Sequence, residues 1–326
     1  MRAAVIGLGS MGRRRIRLLK DLDSKTDVVG IDLSKQRRRQ AETELDVQTF
    51  TSLEEALAAG DTQLALVCTS PRTHAGIIAD CLDSGLHTFT EINLVSDGYD
   101  ENMALAERHG LVLFLSSTFL YRKETMRIAK EVAQVQGTYS YHVGQYLPDW
   151  HPWESWKDFF VADASTSGVR ELLAIELPWI QHAFGPIVHI HSTTRHISGL
   201  EVPYDDSAIL LLEHENGTVG TLTVDVVCRK AVRKFEFSNE FTYITWEGTP
   251  HTLQKLDLVS GQMKELFLYG SDVEHHEGYA SFIVENAYRD ELGAFVDAVE
   301  HGQAPVYGFA EDATTLSIID EIEKKL

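Results

Sequence analysis

The chain is poor in cysteine: Cys68, Cys81 and Cys228 are its three thiols in 326 residues. Three is an odd number, and none of the spacings is that of a metal knuckle, so neither a disulfide framework nor a metal site is expected. This usage fits a reducing, cytoplasmic compartment. Basic residues are also scarce: 29 Lys and Arg stand against 49 Asp and Glu, a net charge of −20. Such a balance argues against phosphate-backbone binding and against anionic membrane surfaces, so neither nucleic acid nor membrane is an expected partner. No apolar run approaches the roughly 20 residues needed to cross a bilayer. The first apolar run begins at Arg2, so a leader is not expected. Repeats and low-complexity linkers are absent. What is present is a chain that is 44% hydrophobic, enough for about two domains with cores of their own.

The most informative stretch is the first. Arg2-Ala-Ala-Val-Ile6 has the length of a buried strand. Gly7-Leu8-Gly9-Ser10-Met11-Gly12 follows, then a helical pattern over 13–20, then Val28-Val-Gly-Ile31 and Asp32. Strand, Gly-x-Gly-x-x-Gly, helix, strand and acid form a dinucleotide-binding fingerprint. Gly7 permits the tight turn, Gly9 admits a pyrophosphate, and Gly12 lets the helix pack close to the strand. The helix N-terminus favours an anion. Asp32, 20 residues after Gly12, is placed to accept the adenosine ribose hydroxyls. A carboxylate there repels a 2′-phosphate, so NAD is favoured over NADP. Arg37, Arg38 and Arg39 read as a solvated helix face, although arginine is the usual 2′-phosphate partner.

Further strands are expected at 47–50, 64–68, 87–91 and 111–115, alternating with helices at 34–45, 52–59, 75–84 and 99–109. Strand–helix alternation specifies a doubly wound parallel sheet. Its ligands bind beyond strand C-termini. Thr69, Ser70, Pro71 and His74 stand at one such end and Glu91 at another. From about residue 121 the pattern changes to a helix at 123–134, an alternating strand at 138–146, a helix at 169–184 bent or interrupted at Pro178, and a long antiparallel run. Asn216-Gly217 is a hairpin turn. His189 and His191 share a strand face but lack a clear third ligand, so a polar face is expected rather than a metal site. His275 and His276 read as exposed.

The densest polar–aromatic segment is Tyr146-Leu-Pro-Asp149-Trp150-His151-Pro-Trp153-Glu154-Ser-Trp156-Lys157-Asp158. Aromatic faces beside Asp149, His151, Trp153 and Glu154 suit a sugar, which has apolar C–H faces and hydroxyl edges. The same tryptophans would also serve to fill a packed loop.

Gly7–Gly12, Cys68-Thr-Ser-Pro-Arg-Thr-His74, Gly85-Leu-His-Thr-Phe-Thr-Glu91 and Tyr121-Arg122 resemble the glucose–fructose oxidoreductase/inositol dehydrogenase family (Gfo/Idh/MocA). The segments at 205–222 and 291–302 resemble that family's sheet hairpin and closing helix. The resemblance implies a Rossmann domain over 1–120. It implies an α+β domain with a large open, mostly antiparallel sheet over 121–326. It further implies a nicotinamide cofactor, a sugar or nucleotide-sugar substrate and a homo-oligomer, dimer or tetramer, formed through that sheet. Two departures stand out. The family's Glu-Lys-Pro reads Glu91-Ile92-Asn93 here, so its lysine is lost. Its Gly-Gly, Asp and His motif reads Ser167-Gly168 through Glu176, with Leu172 at the Asp and Glu176 at the His; a one-residue slip would bring Glu171 to the Asp position. Glu176 is therefore the first candidate for the proton relay, followed by Lys123, Tyr121 and His142, then His151. The expected activity is NAD-dependent hydride transfer at a sugar carbon. An NAD-retaining epimerase or lyase, and a non-catalytic NAD- and sugar-binding homologue, are the alternatives.

Overall fold

The structure, a computed structural model, describes residues 1–150, 155–270, 273 and 284–324. The chain forms two compact units. The first comprises Met1–Ser117 with Tyr288–Thr314, the second Thr118–Ala287 with Thr315–Leu326. The chain thus returns to its first unit near the end, which a single cut between residues 120 and 121 does not provide for.

The first unit alternates strictly. Its elements are β1 (Arg2–Ile6), α1 (Ser10–Leu22), β2 (Asp27–Ile31), α2 (Lys35–Leu45), β3 (Gln48–Phe50), α3 (Leu53–Ala58), β4 (Leu64–Val67), α4 (His74–Asp83), β5 (His87–Thr90), α5 (Tyr99–His109) and β6 (Leu113–Leu115). The sheet order is β3-β2-β1-β4-β5-β6, and every pairing is parallel. This is the doubly wound order, with its ligand crevice beyond the C-termini of β1 and β4. β1 and β4 are buried along their whole length, as continuous apolar runs should be in a sheet covered on both faces. The helices start where their caps dictate. The Ser34 hydroxyl accepts the Arg37 amide and the Ser52 hydroxyl accepts the Glu55 amide, each meeting a donor that a helix N-terminus otherwise leaves unsatisfied.

The second unit opens with α6 (Lys123–Val132), β7 (Thr138–Gly144) and α7 (Gly168–Phe184). It continues through β8 (Ile187–Arg195), β9 (Ser207–His214), β10 (Val219–Asp225), β11 (Val232–Ser238), β12 (Tyr243–Trp246), β13 (Gln254–Asp257) and β14 (Gln262–Glu265). The order is β14-β13-β12-β11-β7-β10-β9-β8. β7 and β10 run parallel, and the remaining neighbours are antiparallel. Alternation on β7 buries Tyr139, Tyr141 and Val143 and turns Ser140 and His142 to the opposite face. Tyr139, Tyr141, Trp179, Phe184 and Phe235 stack into one aromatic core between sheet and helix. Gly220 is required under it, because a Cβ there would strike the Tyr139 ring. α7 continues through Pro178, so of the two expectations, interruption does not occur there. The closing helices are α8 (Glu285–His301) and α9 (Phe309–Lys324).

Candidate functional site

The glycine turn is built as its sequence demands. Gly7 has φ +93, and a Cβ there would lie 2.6 Å from the Cys68 carbonyl oxygen. A Cβ on Gly12 would collide with the Gly7 carbonyl, so α1 sits directly on the turn. Gly9 differs: a Cβ there would meet nothing within 4 Å. Its backbone borders open space at the N-terminus of α1, and no side chain caps that terminus. Bare amide groups beside open space suit a pyrophosphate. Leu8 is buried against Gly30, while Ser10 and Met11 are half-buried on the first turn. Asp32 locks the turn from the end of β2: Oδ2 accepts the Leu8 amide at 2.8 Å and Oδ1 the Ser34 amide at 2.7 Å. Each oxygen keeps a lone pair for a hydroxyl donor. Arg38 is occupied by the carbonyls of Asp32 and Leu33. Arg37 stands 3.8 Å from the Asp32 carboxylate with its side chain half in solvent.

At the end of β4, Thr69 and Ser70 remain accessible and Pro71 is buried. His74 is buried, with Nε2–H donating to the Thr69 carbonyl at 3.0 Å and Nδ1 left to accept from the Thr90 hydroxyl at 3.2 Å, beside the Asn93 side-chain amide. Burial lowers its pKa, so it braces the turn as a neutral ring. Glu91, expected among the cofactor ligands, has its carboxylate taken up from behind. Arg15 of α1 donates to it at 2.6 and 3.2 Å and to Glu291 of α8 at 2.7 Å. Ser116 and the Ser117 amide also donate to Glu291. This bridge joins α8 to the first unit, as does Phe295 against the Phe89 and Phe114 rings, and the Tyr99 hydroxyl on Asp312 joins α9. Ile92 follows Glu91 half-buried, so no ammonium occupies the lysine position.

In the second unit Glu176 is completely buried. Its Oε1 accepts Arg233 at 2.5 and 2.9 Å, and its Oε2 accepts Tyr141 and Trp179, each at 2.7 Å. The Arg233 guanidinium lies over the Phe119 ring at 4.5 Å. A carboxylate with four donors and no solvent access has nothing left for a substrate, contrary to its expected place at the head of the proton relay. Lys123, the first residue of α6, is exposed, and its ammonium lies 4.9 Å from the Tyr269 ring centre. Tyr121 is half-buried at the end of a short 3-10 turn. His142 lies on the sheet face away from α7, with Nε2 2.8 Å from Asp225 Oδ2. Asp149 is exposed. His151, Trp153, Glu154, His275 and His276 lie outside the described residues. His189 and His191 are exposed on β8.

One group was underrated by sequence reasoning. Glu171, one residue before the aligned Asp position, carries an Oε2 that is buried without a hydrogen-bond partner among the described residues. Burial raises its pKa to about 7. Trp150 of the polar–aromatic segment packs against Gly168, a turn earlier on α7. The Tyr204 hydroxyl meets the Gly168 amide at 3.4 Å and donates to the Val161 carbonyl at 2.8 Å. The sequence signal was the slip that brings Glu171 to the motif.

Comparison with known proteins bears on the first unit most directly. Residues 1–117 match an oxidoreductase family with an NAD-binding Rossmann fold, Gfo/Idh/MocA. The match covers the first 117 of the 326 residues. A dehydrogenase of 4-carboxy-2-hydroxymuconate-6-semialdehyde from Sphingobium sp. is 30% identical over 123 residues, or 36% of this chain. The match spans 38% of that relative's length. Two solved structures align over the entire chain. UDP-N-acetylglucosamine 3-dehydrogenase from Acidithiobacillus ferrooxidans does so with TM-score 0.78 at 16% identity, covering 97% of that protein. Levoglucosan dehydrogenase, solved with NADH, does so with TM-score 0.82 at 13% identity, covering 96%. At these identities the agreement is one of fold. That shared fold spans the whole chain, both the parallel sheet and the large mostly antiparallel one.

Proposed function

We propose that this protein is an NAD-dependent oxidoreductase acting at a hydroxyl or ketone carbon of a sugar, free or nucleotide-linked. The observation that carries this reading is the glycine turn with bare α1 amides and Asp32 locked beside it. In that setting Gly9 and the first amides of α1 would hold the pyrophosphate, and Asp32 the adenosine ribose. Leu33, 88% exposed next to Asp32, offers an apolar face to an adenine. Bound nicotinamide supplies the hydride chemistry. The polar–aromatic segment around Asp149 and Trp150 supports a sugar as substrate.

The protein's own task is then to hold and move one proton. Ile92 cannot do so, and Glu176 is sealed. Glu171 takes the role in this reading. In the oxidising direction its carboxylate accepts the proton of the substrate hydroxyl; in the reducing direction it returns that proton to the new alkoxide. A group with a pKa near the working pH serves both directions, and such catalysis typically contributes about 10²–10⁴-fold. We further propose that the protein assembles as a homo-oligomer. Among the described residues no helix is long and apolar enough to cross a membrane.

The test is calorimetric titration with NAD and NADP, followed by absorbance of reduced nicotinamide across sugars and nucleotide-sugars. Expected are NAD binding in preference to NADP and NADH formation with one substrate class. Asp32→Ala should weaken NAD and narrow that preference, and Glu171→Gln should cut kcat about 10²-fold or more while NAD affinity holds. Failure to bind either dinucleotide would sink the oxidoreductase reading. Binding of NAD and sugar without turnover would leave the non-catalytic alternative. Turnover unchanged in Glu171→Gln would remove that residue from the chemistry.

A further inference from the structure

The face of the second-unit sheet opposite α7 carries a cluster that the proposed oxidoreductase activity does not use. His142, Asp225 and Cys228 bring an imidazole nitrogen, a carboxylate oxygen and a thiol sulfur within 4.8 Å of one another. The sheet register sets this up. β7 and β10 pair in parallel with Thr223 beside His142 and Asp225 beside Gly144. Two-residue alternation therefore puts His142 and Asp225 on one face. The chain then turns back immediately after β10, and the turn delivers Cys228.

The carboxylate in this cluster is positioned rather than loose. Asp225 Oδ1 accepts the amides of Val227 at 3.0 Å and Cys228 at 2.8 Å, which leaves Oδ2 to His142 Nε2 at 2.8 Å. Gly144 provides the room. A Cβ there would lie 2.7 and 2.9 Å from the two Asp225 oxygens and 2.9 Å from Cys228 Cβ. A glycine at the end of a strand, needed only so that these two side chains can close on each other, is a cradle. Nearby cations are directed elsewhere: Lys234, opposite His142 in register, stands 3.8 Å from Glu247, and the Arg229 guanidinium lies over the Tyr146 ring at 4.0 Å.

We propose that His142, Asp225 and Cys228 form a binding site for a thiophilic divalent cation of the zinc class. One sulfur, one nitrogen and one oxygen are the donors zinc takes, whereas magnesium and calcium require oxygens. Tetrahedral coordination sets donor atoms about 3.5 Å apart, so the His142 and Asp225 donors, now 2.8 Å apart, would separate slightly while the sulfur, within 4.8 Å, would stay or draw in. The half-exposed edge at His142 leaves a fourth position for water. The Cys228 thiol, which now donates to the Lys230 carbonyl at 3.0 Å, loses its proton as the metal–sulfur bond forms. The imidazole proton on Nε2 moves to Nδ1, so binding releases about one proton per cation. The Val227 and Cys228 amides remain on Asp225 as the outer support that metal carboxylates generally have. The cation would tie β7 to the turn after β10.

The experiment titrates the full-length protein, stripped with chelator, with cobalt(II) alone and then displaces the cobalt with zinc(II). The expected result is one cobalt per chain with a sulfur-to-cobalt charge-transfer band, lost on zinc addition and unaffected by excess magnesium. Cys228→Ser should abolish the band. His142→Gln and Gly144→Ala should weaken binding, by about 10- to 100-fold or more. Cys68 and Cys81 are buried and cannot supply the sulfur from the folded state. Absence of the band in the wild-type protein would overturn the proposal, and so would a band that persists in Cys228→Ser. NAD binding is measured in parallel and is expected to be the same with and without the cation, which separates this site from the dinucleotide reading.

Discussion

The two faces of α7 treat the same functional group in opposite ways. Glu176 faces the sheet and is met by Arg233, Tyr141 and Trp179. Glu171, five residues earlier and about 140° around the helix, keeps a buried oxygen without a partner among the described residues. Buried carboxylates are retained as ions only when donors replace their hydration. Glu176 accepts four donors, so its position is explained by the fold. Glu171 does not, so burial drives its pKa up and it has a proton to exchange. The lesson is that alignment to a motif and availability for chemistry are separate properties. The residue aligned with the family histidine is spent on packing, and Glu171, one position off the aligned Asp site, is the one with an oxygen lacking a partner among the described residues.

The Arg15 bridge extends the comparison to the first unit and gives the largest expected effect. Arg15 is one cation serving Glu91 and Glu291. Arg15→Met would leave two buried carboxyls without a counter-charge, and breaking a buried pair from one side costs about 3–5 kcal/mol. We expect at least that loss in chemical denaturation. A loss near zero would mean that full engagement of a buried charge says nothing about the fold. Glu176→Gln should fall somewhat lower, about 3 kcal/mol, since the amide oxygen still accepts one donor while Arg233 loses its anion. If this variant folds normally and turns over far more slowly than wild type, the division between the two faces of α7 is wrong.

How much of this was legible in the sequence follows from how local each feature is. The glycine turn, its helix and Asp32 lie within 26 residues, from Gly7 to Asp32, and their spacing encodes their geometry. The parallel order followed from strand–helix alternation, and the inward tyrosines of β7 from a period of two. The rest depended on partners far along the chain. Arg13, Arg14 and Arg15 look like a solvated basic face until Glu291, 276 residues away, meets Arg15. Glu176 looked available because its four donors come from β7, β11 and its own helix only once the sheet is in register. The thiol of Cys228 carries no metal spacing in sequence; strand pairing places it beside His142. Pro178 did not break α7, because burial on both sides of it outweighs one missing backbone donor.

The smallest expected effect is also the sharpest, because its sign is opposite. Glu171 has an ordinary carboxyl pKa of 4.5 in the unfolded chain and about 7 in the folded one. Below pH 4.5 both states hold the proton and its burial carries no charge penalty. As the pH rises toward 7 the unfolded chain loses the proton first, so stability falls through that window and levels off above it. The full excursion is at most about 3 kcal/mol. Glu171→Gln does not titrate, so its stability relative to wild type should climb between pH 4.5 and 7 and be flat on either side. The unpaired amide adds a constant cost of about 1–3 kcal/mol, which leaves the slope unchanged. Denaturation midpoints of the two proteins across pH 4 to 8 give that slope directly. A difference that does not change with pH would place the Glu171 carboxyl at its ordinary value. It would then share the condition of an exposed glutamate, and the proton-carrying role on this face of α7 would have to pass to another group.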